Sequence, residues 1–210
     1  MMIFRDREDA ARRLSEALAQ YRGQHPLVLA IPRGAVPMAR IIAADLGGEV
    51  DVVLVRKLRA PGNPEFAIGA VDETGWTYLG DYAKHVAGSS QYIEDEKETQ
   101  LRVMRERRAT YTPVRPPLDP AGRIVIVVDD GLATGSTMIA ALHALRAKSP
   151  QKLICAVPVA PPDTLEKVSP YADEMVCLSA PESFYAVGQF YQSFQQVSDE
   201  EVVAQLSADS

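Results

Sequence analysis

Arg123–Met138 reads R-I-V-I-V-V-D-D-G-L-A-T-G-S-T-M, and this stretch decides the fold class. Ile124–Val128 is an unbroken run of branched apolar residues, the pattern of a strand covered on both faces. The run ends on two adjacent carboxylates, Asp129 and Asp130. Four residues later, Thr134-Gly135-Ser136-Thr137 opens a helix predicted over about 136–148. A helix N-terminus leaves backbone N–H groups unpaired and carries positive dipole charge, so it attracts anions. Gly135 lets the backbone come close to a ligand, and the hydroxyls of Thr134, Ser136 and Thr137 add donors. A phosphate fits such a cup. The carboxylates beside it would accept hydrogen bonds from sugar hydroxyls or approach a cation.

Upstream of this stretch, Ala10, Leu14, Leu18 and Tyr21 predict a helix over about 6–22, with Gly23 as its stop. Leu27–Ile31 reads as a buried strand broken by Pro32-Arg33-Gly34. Pro37 starts a helix that ends at Gly47-Gly48. Val50–Val55 reads as another parallel strand, and Arg56–Pro64 as a polar, breaker-rich loop. Ala67–Val71 and Trp76–Leu79 form a hairpin around Asp72-Glu73-Thr74-Gly75. A charged helix over about 90–109 and a proline-rich connector (Pro113, Pro116, Pro117, Pro120) follow.

Downstream, strands are predicted over 153–157 and 174–178 with a short helix, 163–168, between them. Pro181–Tyr191 is aromatic and irregular. Ser198 with Glu201 forms a capping box for a last helix. Strands alternating with helices predict an α/β fold: a three-layer, open, mostly parallel sheet with helices on both faces, plus a small hairpin and a C-terminal hood. The organisation is one domain over residues 1–210, with a hairpin and long-helix insertion at about 67–112 and the hood at about 179–210.

A chain of 210 residues is long enough to bury a core without disulfides or a structural metal. Hydrophobic residues make up 47% and charged residues 24%, which argues against global disorder. The net charge of −6 argues against a nucleic-acid footprint at whole-chain level. An anionic ligand would need backbone N–H groups and a few placed Arg or Lys side chains. No apolar stretch reaches membrane-spanning length, and the charged N-terminal residues do not read as a secretory signal. Cys155 and Cys177 lie in separate apolar segments and read as two buried thiols in a reducing cytoplasm. His25, His85 and His143 show no metal-ligand spacing.

Rival motifs fail on spacing. A P-loop needs G-x-x-x-x-G-K-[ST], but the glycine after Gly131 comes too early and no lysine follows Gly135. The dinucleotide G-x-G-x-x-G fingerprint and the G-x-S-x-G elbow are absent. A receiver domain carries its acidic pair at the first strand, whereas here the pair comes after more than half the chain.

Val125–Met138 resembles the phosphoribosyl-pyrophosphate (PRPP) signature of type I phosphoribosyltransferases: an apolar strand, two acids, a short spacer and T-G-x-T. The resemblance covers about residues 25–180. It is nearest to a group of predicted phosphoribosyltransferases that share Ile31-Pro32-Arg33-Gly34, Arg56–Glu65 and a late Val197-Ser198-Asp199-Glu200-Glu201 stretch. It implies that Asp129 and Asp130 hold the ribose hydroxyls as the catalytic pair, and that Ala133, Thr134, Gly135, Ser136 and Thr137 hold the 5-phosphate. Arg33 and Gly34 match the pyrophosphate loop, which often contains a non-proline cis peptide, so Pro32–Arg33 is the candidate. Lys57 would reach the pyrophosphate, with Arg56 as a rival and Arg59 as the cation on a mobile loop over Leu58–Phe66. Mg²⁺ is the expected companion of PRPP, on pyrophosphate and ribose oxygens. No protein metal ligand is assigned.

Two features depart from the best-known members. Ala133 stands where enzymes acting on 6-oxopurines usually carry an acid, which weakens a hypoxanthine or guanine acceptor. The hood matches no known specificity; Phe184, Tyr185, Phe190 and Tyr191, the first two above all, are candidates for stacking on an acceptor ring or for packing the core or an interface. The expected partners are PRPP and a nitrogenous acceptor, with a homodimer as the family's common assembly, and neither nucleic acid nor membrane. A PRPP- or nucleotide-sensing regulator and an unrelated sugar-phosphate binder are the alternatives to a transferase.

Overall fold

A computed structural model describes residues 2–207. Its centre is a five-stranded parallel sheet in the order β2-β1-β6-β7-β8, formed by β1 (Leu27–Ala30), β2 (Glu49–Val52), β6 (Ile124–Val128), β7 (Lys152–Val159) and β8 (Glu174–Ser179). Side chains of each strand alternate between two cores. Val28, Ala30, Ile126 and Val128 face one core, where α1 (Arg7–Ala17) and α2 (Val36–Leu46) pack. Leu27, Leu29, Val125 and Val127 face the other, beneath α5 (Ser136–Arg146). These layers are those predicted.

The helix ends follow from their residues. Asp6 caps α1 by accepting the Asp9 N–H, and Gly47 closes α2 in the left-handed conformation. Ser198 and Glu201 complete the predicted capping box of α7 (Asp199–Ser207). The first helix is shorter than its periodicity suggested: α1 stops at Ala17, and a 3-10 turn, Ala19–Tyr21, carries Tyr21 into the core. A short helix, α3 (Ala83–Ala87), has no counterpart in the sequence reading. It precedes α4 (Ser90–Tyr111), capped by Ser89.

The largest correction lies between Val50 and Phe66. The apolar run is not one strand. The chain leaves the parallel sheet after Val52 and enters a separate antiparallel sheet, β3 (Val55–Ala60), β4 (Asn63–Asp72) and β5 (Thr77–Leu79). The segment predicted as a polar loop and mobile lid is therefore the β3–β4 hairpin, turning at Pro61-Gly62 with Gly62 at φ +70°. Leu58 and Ala60 are buried, and this anchors the strand. Three cations in six residues masked it: Lys57 and Arg59 lie exposed and Arg56 is half-buried against Gln100, while Leu58 and Ala60 go inward. The β4–β5 pairing and the Asp72–Gly75 turn are as predicted. Trp76 on this turn stacks on His143 of α5, with ring centroids 3.6 Å apart and planes 8° apart. Of the two cysteines, Cys155 is buried and Cys177, on edge strand β8, is half-buried.

Candidate active site

The sheet order places β1 beside β6, although about ninety residues separate them in sequence. Chain progression runs outward to β2 on one side and to β7 and β8 on the other. The strand order therefore reverses between β1 and β6, and a crevice opens at their carboxyl ends. Their register pairs Ala30 with Val128, and the Ile31 N–H donates to the Val128 carbonyl at 3.0 Å. Both glycine-bearing loops thus reach the same crevice. The Pro32–Arg33 peptide, the predicted candidate, is cis.

The crevice is a cavity of about 790 Å³. Arg33, Gly34, Lys57, Arg59, Asp129, Asp130, Ala133, Thr134, Gly135 and Thr137 all line it. Two predicted members do not. Ser136 is buried, and its hydroxyl pairs with that of Thr134 at 3.2 Å, so it shapes the loop from behind. Phe184 packs against Phe190 with centroids 5.0 Å apart, at the core rather than the cavity. Tyr185 lies on the rim and is 89% exposed. Of the other hood candidates, Phe190 is buried, and the Tyr191 hydroxyl donates to the Asp130 carbonyl at 2.6 Å.

The acid end is tightly built. Asp129 Oδ1 accepts the Asp130 N–H at 2.9 Å. Asp130 Oδ2 accepts both Arg7 Nε at 3.0 Å and Arg7 Nη2 at 2.8 Å. Burial raises the pKa of both carboxyls. At Asp129 the neighbouring Asp130 charge adds to the rise, whereas at Asp130 the Arg7 guanidinium opposes it. Gly34 is required by this packing, because a Cβ there would stand 2.3 Å from Asp130 Oδ2 and 3.0 Å from Arg7 Nη2.

At the opposite end, α5 begins with no side-chain cap, and Gly135 sits at φ +78°. The structure adds a packing reason for this glycine to the one the sequence suggested. A Cβ would meet Val168 Cγ2 at 2.7 Å and Thr164 Cγ2 at 3.0 Å, so glycine admits α6 (Pro162–Val168) against the loop. The Thr164 hydroxyl also donates to the Ala133 carbonyl at 2.7 Å.

The cationic wall comes from β3 and α4. Arg56, Lys57, Arg59 and Arg107 join Arg33 around the cavity. Burial, with the charges of Arg107, Arg59 and Arg33, lowers the Arg56 pKa. One acid from α7 meets this wall: Asp199 lies 3.5 Å from Arg33 Nη1 and 3.8 Å from Arg107 Nε, and accepts the Tyr111 hydroxyl at 2.6 Å. Sequence reasoning missed Arg7, Arg107 and the 194–197 segment, all of which line the cavity except Gln195. No local motif marks them; they come from distant elements. Among the described residues no group of three His, Cys, Asp or Glu side chains is placed to hold a metal ion, and no helix is long and apolar enough to cross a membrane.

This geometry can hold a phosphate at the α5 N-terminus, a diol at Asp129–Asp130 and a second anion at the cationic wall. Known proteins resemble this chain in sequence and fold. TT1426 from Thermus thermophilus is 48% identical in a solved structure, with a TM-score of 0.81 and 98% of each chain covered. A purine phosphoribosyltransferase from Pyrococcus horikoshii (15% identity, TM-score 0.51, 91% of each chain) shares the fold. Two strains of Mycobacterium tuberculosis each have a provisionally named phosphoribosyl transferase 42% identical over 209 residues, covering 98% of this chain and 47% of theirs. The chain thus spans about half the length of the curated relatives it matches. The phosphoribosyl transferase domain model matches residues 3–195, and this chain belongs to that family.

Proposed function

We propose that this chain transfers the ribose 5-phosphate group of PRPP to a nitrogenous acceptor and releases pyrophosphate. The observation that carries the reading is the meeting of three unlike subsites in one cavity: an uncapped helix N-terminus, a carboxylate pair, and a wall of five cations. Their order matches the order of groups along PRPP. The 5-phosphate lies on Ala133–Thr137, with Ser136 supporting from behind. The ribose hydroxyls lie on Asp129 and Asp130. The pyrophosphate lies on Arg33, Lys57, Arg59 and Arg56.

The reaction breaks the bond between the sugar's anomeric carbon and pyrophosphate, and builds positive charge on the sugar. Asp129 and Asp130 face that charge, and the cations hold the departing pyrophosphate. Fixing both ends of PRPP aligns the anomeric carbon with the acceptor. Mg²⁺ fits an arrangement of oxygen donors, and it would neutralise the pyrophosphate and ribose oxygens. It would enter with PRPP, because the described residues offer only the carboxylate pair. The acceptor would lie between Phe66, on β4, and Tyr185 of the hood, both on the cavity lining. The reading places the protein in nucleotide metabolism in a reducing cytoplasm.

Calorimetric titration with PRPP and Mg²⁺, beside 5′-nucleotides, tests this. Binding of PRPP that Asp129→Asn/Asp130→Asn weakens by about 100-fold or more in a folded protein is expected, since each charge-assisted hydrogen bond is worth about 1.5–3 kcal/mol. An acceptor screen for pyrophosphate release then follows. A folded protein that does not bind PRPP overturns the reading. PRPP or nucleotide binding without turnover on any acceptor replaces it with a sensor.

A further inference from the structure

Arg7 is the first residue of α1, remote in sequence from the PRPP signature. Its guanidinium makes contacts to Asp130 on one side and to the Phe194–Gln195 segment on the other. Nε and Nη2 both donate to Asp130 Oδ2, at 3.0 and 2.8 Å. Nη1 donates to the Gln195 carbonyl. The cation lies 4.0 Å from the centroid of the Phe194 ring. Arg7 and Asp130 side chains are 14% and 16% exposed, so water screens the pair weakly.

The geometry at Asp130 is selective. Both Arg7 donors fall on Oδ2, and among the described residues no side-chain hydrogen bond to Oδ1 is made. One oxygen is fixed and the other is left as an acceptor. Without the fork, the carboxylate would be free to rotate about χ2, which is a broad torsion, and either oxygen could face the cavity. Two N–H donors from one rigid guanidinium converge on Oδ2 and fix where that oxygen lies; an ammonium would offer a single contact on a flexible stem. Phe194 and the Gln195 carbonyl hold the guanidinium in turn.

We propose that Arg7 is a positioning residue for the sugar: it locks Asp130 so that Oδ1 is presented to a ribose hydroxyl. This rests on the reading of Asp129–Asp130 as the diol site. It gives α1 and the Phe194–Gln195 segment a direct part in sugar recognition, although neither touches the PRPP signature in sequence.

The test compares ribose 5-phosphate, 2-deoxyribose 5-phosphate and inorganic phosphate as ligands of wild type, Arg7→Gln and Arg7→Lys, by calorimetry. Circular dichroism and melting temperature monitor folding. Wild type is expected to favour ribose 5-phosphate over its 2-deoxy analogue by about tenfold or more. In Arg7→Gln the preference should fall to about twofold or less, with inorganic phosphate bound as in wild type, since its cup is at α5. Arg7→Lys keeps the charge but not the fork, so an intermediate preference is expected, and this variant carries the test if Arg7→Gln does not fold. A fall in stability alone would not change the ratio of two affinities. Full preference in a folded Arg7 variant overturns the inference and leaves the diol reading standing. No preference in wild type overturns the diol reading itself, and the inference with it.

Discussion

The crevice between β1 and β6 carries its ligand-facing groups on loops at strand ends, whereas β3 and β4 carry theirs along the strands. At the strand ends, Gly34 sits so close to Asp130 and Arg7 that no Cβ fits between them, and Arg7 pins Asp130. Along β3, Lys57 and Arg59 are exposed while Leu58 and Ala60 turn inward. The first region is packed to tenths of an ångström; the second supplies charge with little packing. A packed site selects shape and hydroxyl pattern, and a charged wall selects charge number. The two regions should therefore fail differently when changed.

The sharpest way to break the contrast is Gly34→Ala. The new Cβ cannot coexist with Asp130 Oδ2 in its present position. The carboxylate must swing away from Arg7, and PRPP affinity should fall by about 100-fold or more in calorimetry, the equivalent of two lost charged hydrogen bonds. A folded Gly34→Ala protein with wild-type affinity would show that the packing at the strand ends is irrelevant to binding.

Removing the wall should act on charge alone. Lys57→Ala/Arg59→Ala is expected to weaken PRPP by about 10- to 100-fold and to leave ribose 5-phosphate within about twofold. The PRPP effect should shrink as salt is raised, because these side chains are exposed. Equal losses for both ligands would merge the two regions into one site.

The acid pair also has a cost in stability. Burial and the charge of Asp130 raise the Asp129 pKa in the folded state. The folded protein therefore holds that proton more tightly than the unfolded chain, and stability falls as pH rises through the window above the ordinary carboxylate range. Asp129→Asn removes this cost and keeps an oxygen for the Asp130 N–H. Its melting temperature should exceed that of wild type at pH 7, with the gain vanishing below about pH 4. Asp130→Asn should not share the gain, since it leaves Arg7 without its charged partner.

The smallest effect is expected at Trp76, where the antiparallel sheet meets α5. Trp76→Leu removes the stack on His143 and should cost about 1 kcal/mol, or roughly 2–4 °C in melting temperature, without altering ribose 5-phosphate binding. A large change in binding would show that the hairpin's seating controls the α5 N-terminus.

Much of the strand-end region was legible because each of its parts is local. An apolar run ending in Asp129-Asp130 and followed by T-G-S-T states its own geometry, as does Pro32-Arg33-Gly34 after Leu27–Ile31. The wall was not legible. Arg56, Lys57 and Arg59 in β3 look like loop residues, since alternation is short and interrupted by irregular pairing at Leu58–Ala60. Val50–Val55 misled for the opposite reason: an apolar run does not record the point at which a chain passes from one sheet to another. Phe184 and Tyr185 were indistinguishable as sequence, and only packing sent one to the core and the other to the rim.

By itself the sequence determined the alternating α/β class, the strand carrying the acid pair and the helix start after it, because each depends on residues a few positions apart; the cis-peptide candidate came from the family resemblance of Pro32-Arg33-Gly34. The tertiary structure alone decided that β1 lies beside β6, that β3–β5 form a second sheet and that Arg7 reaches Asp130 across 123 positions. Such contacts arise when distant elements bury their faces against one another, and no local spacing encodes which distant polar group then falls opposite a buried charge.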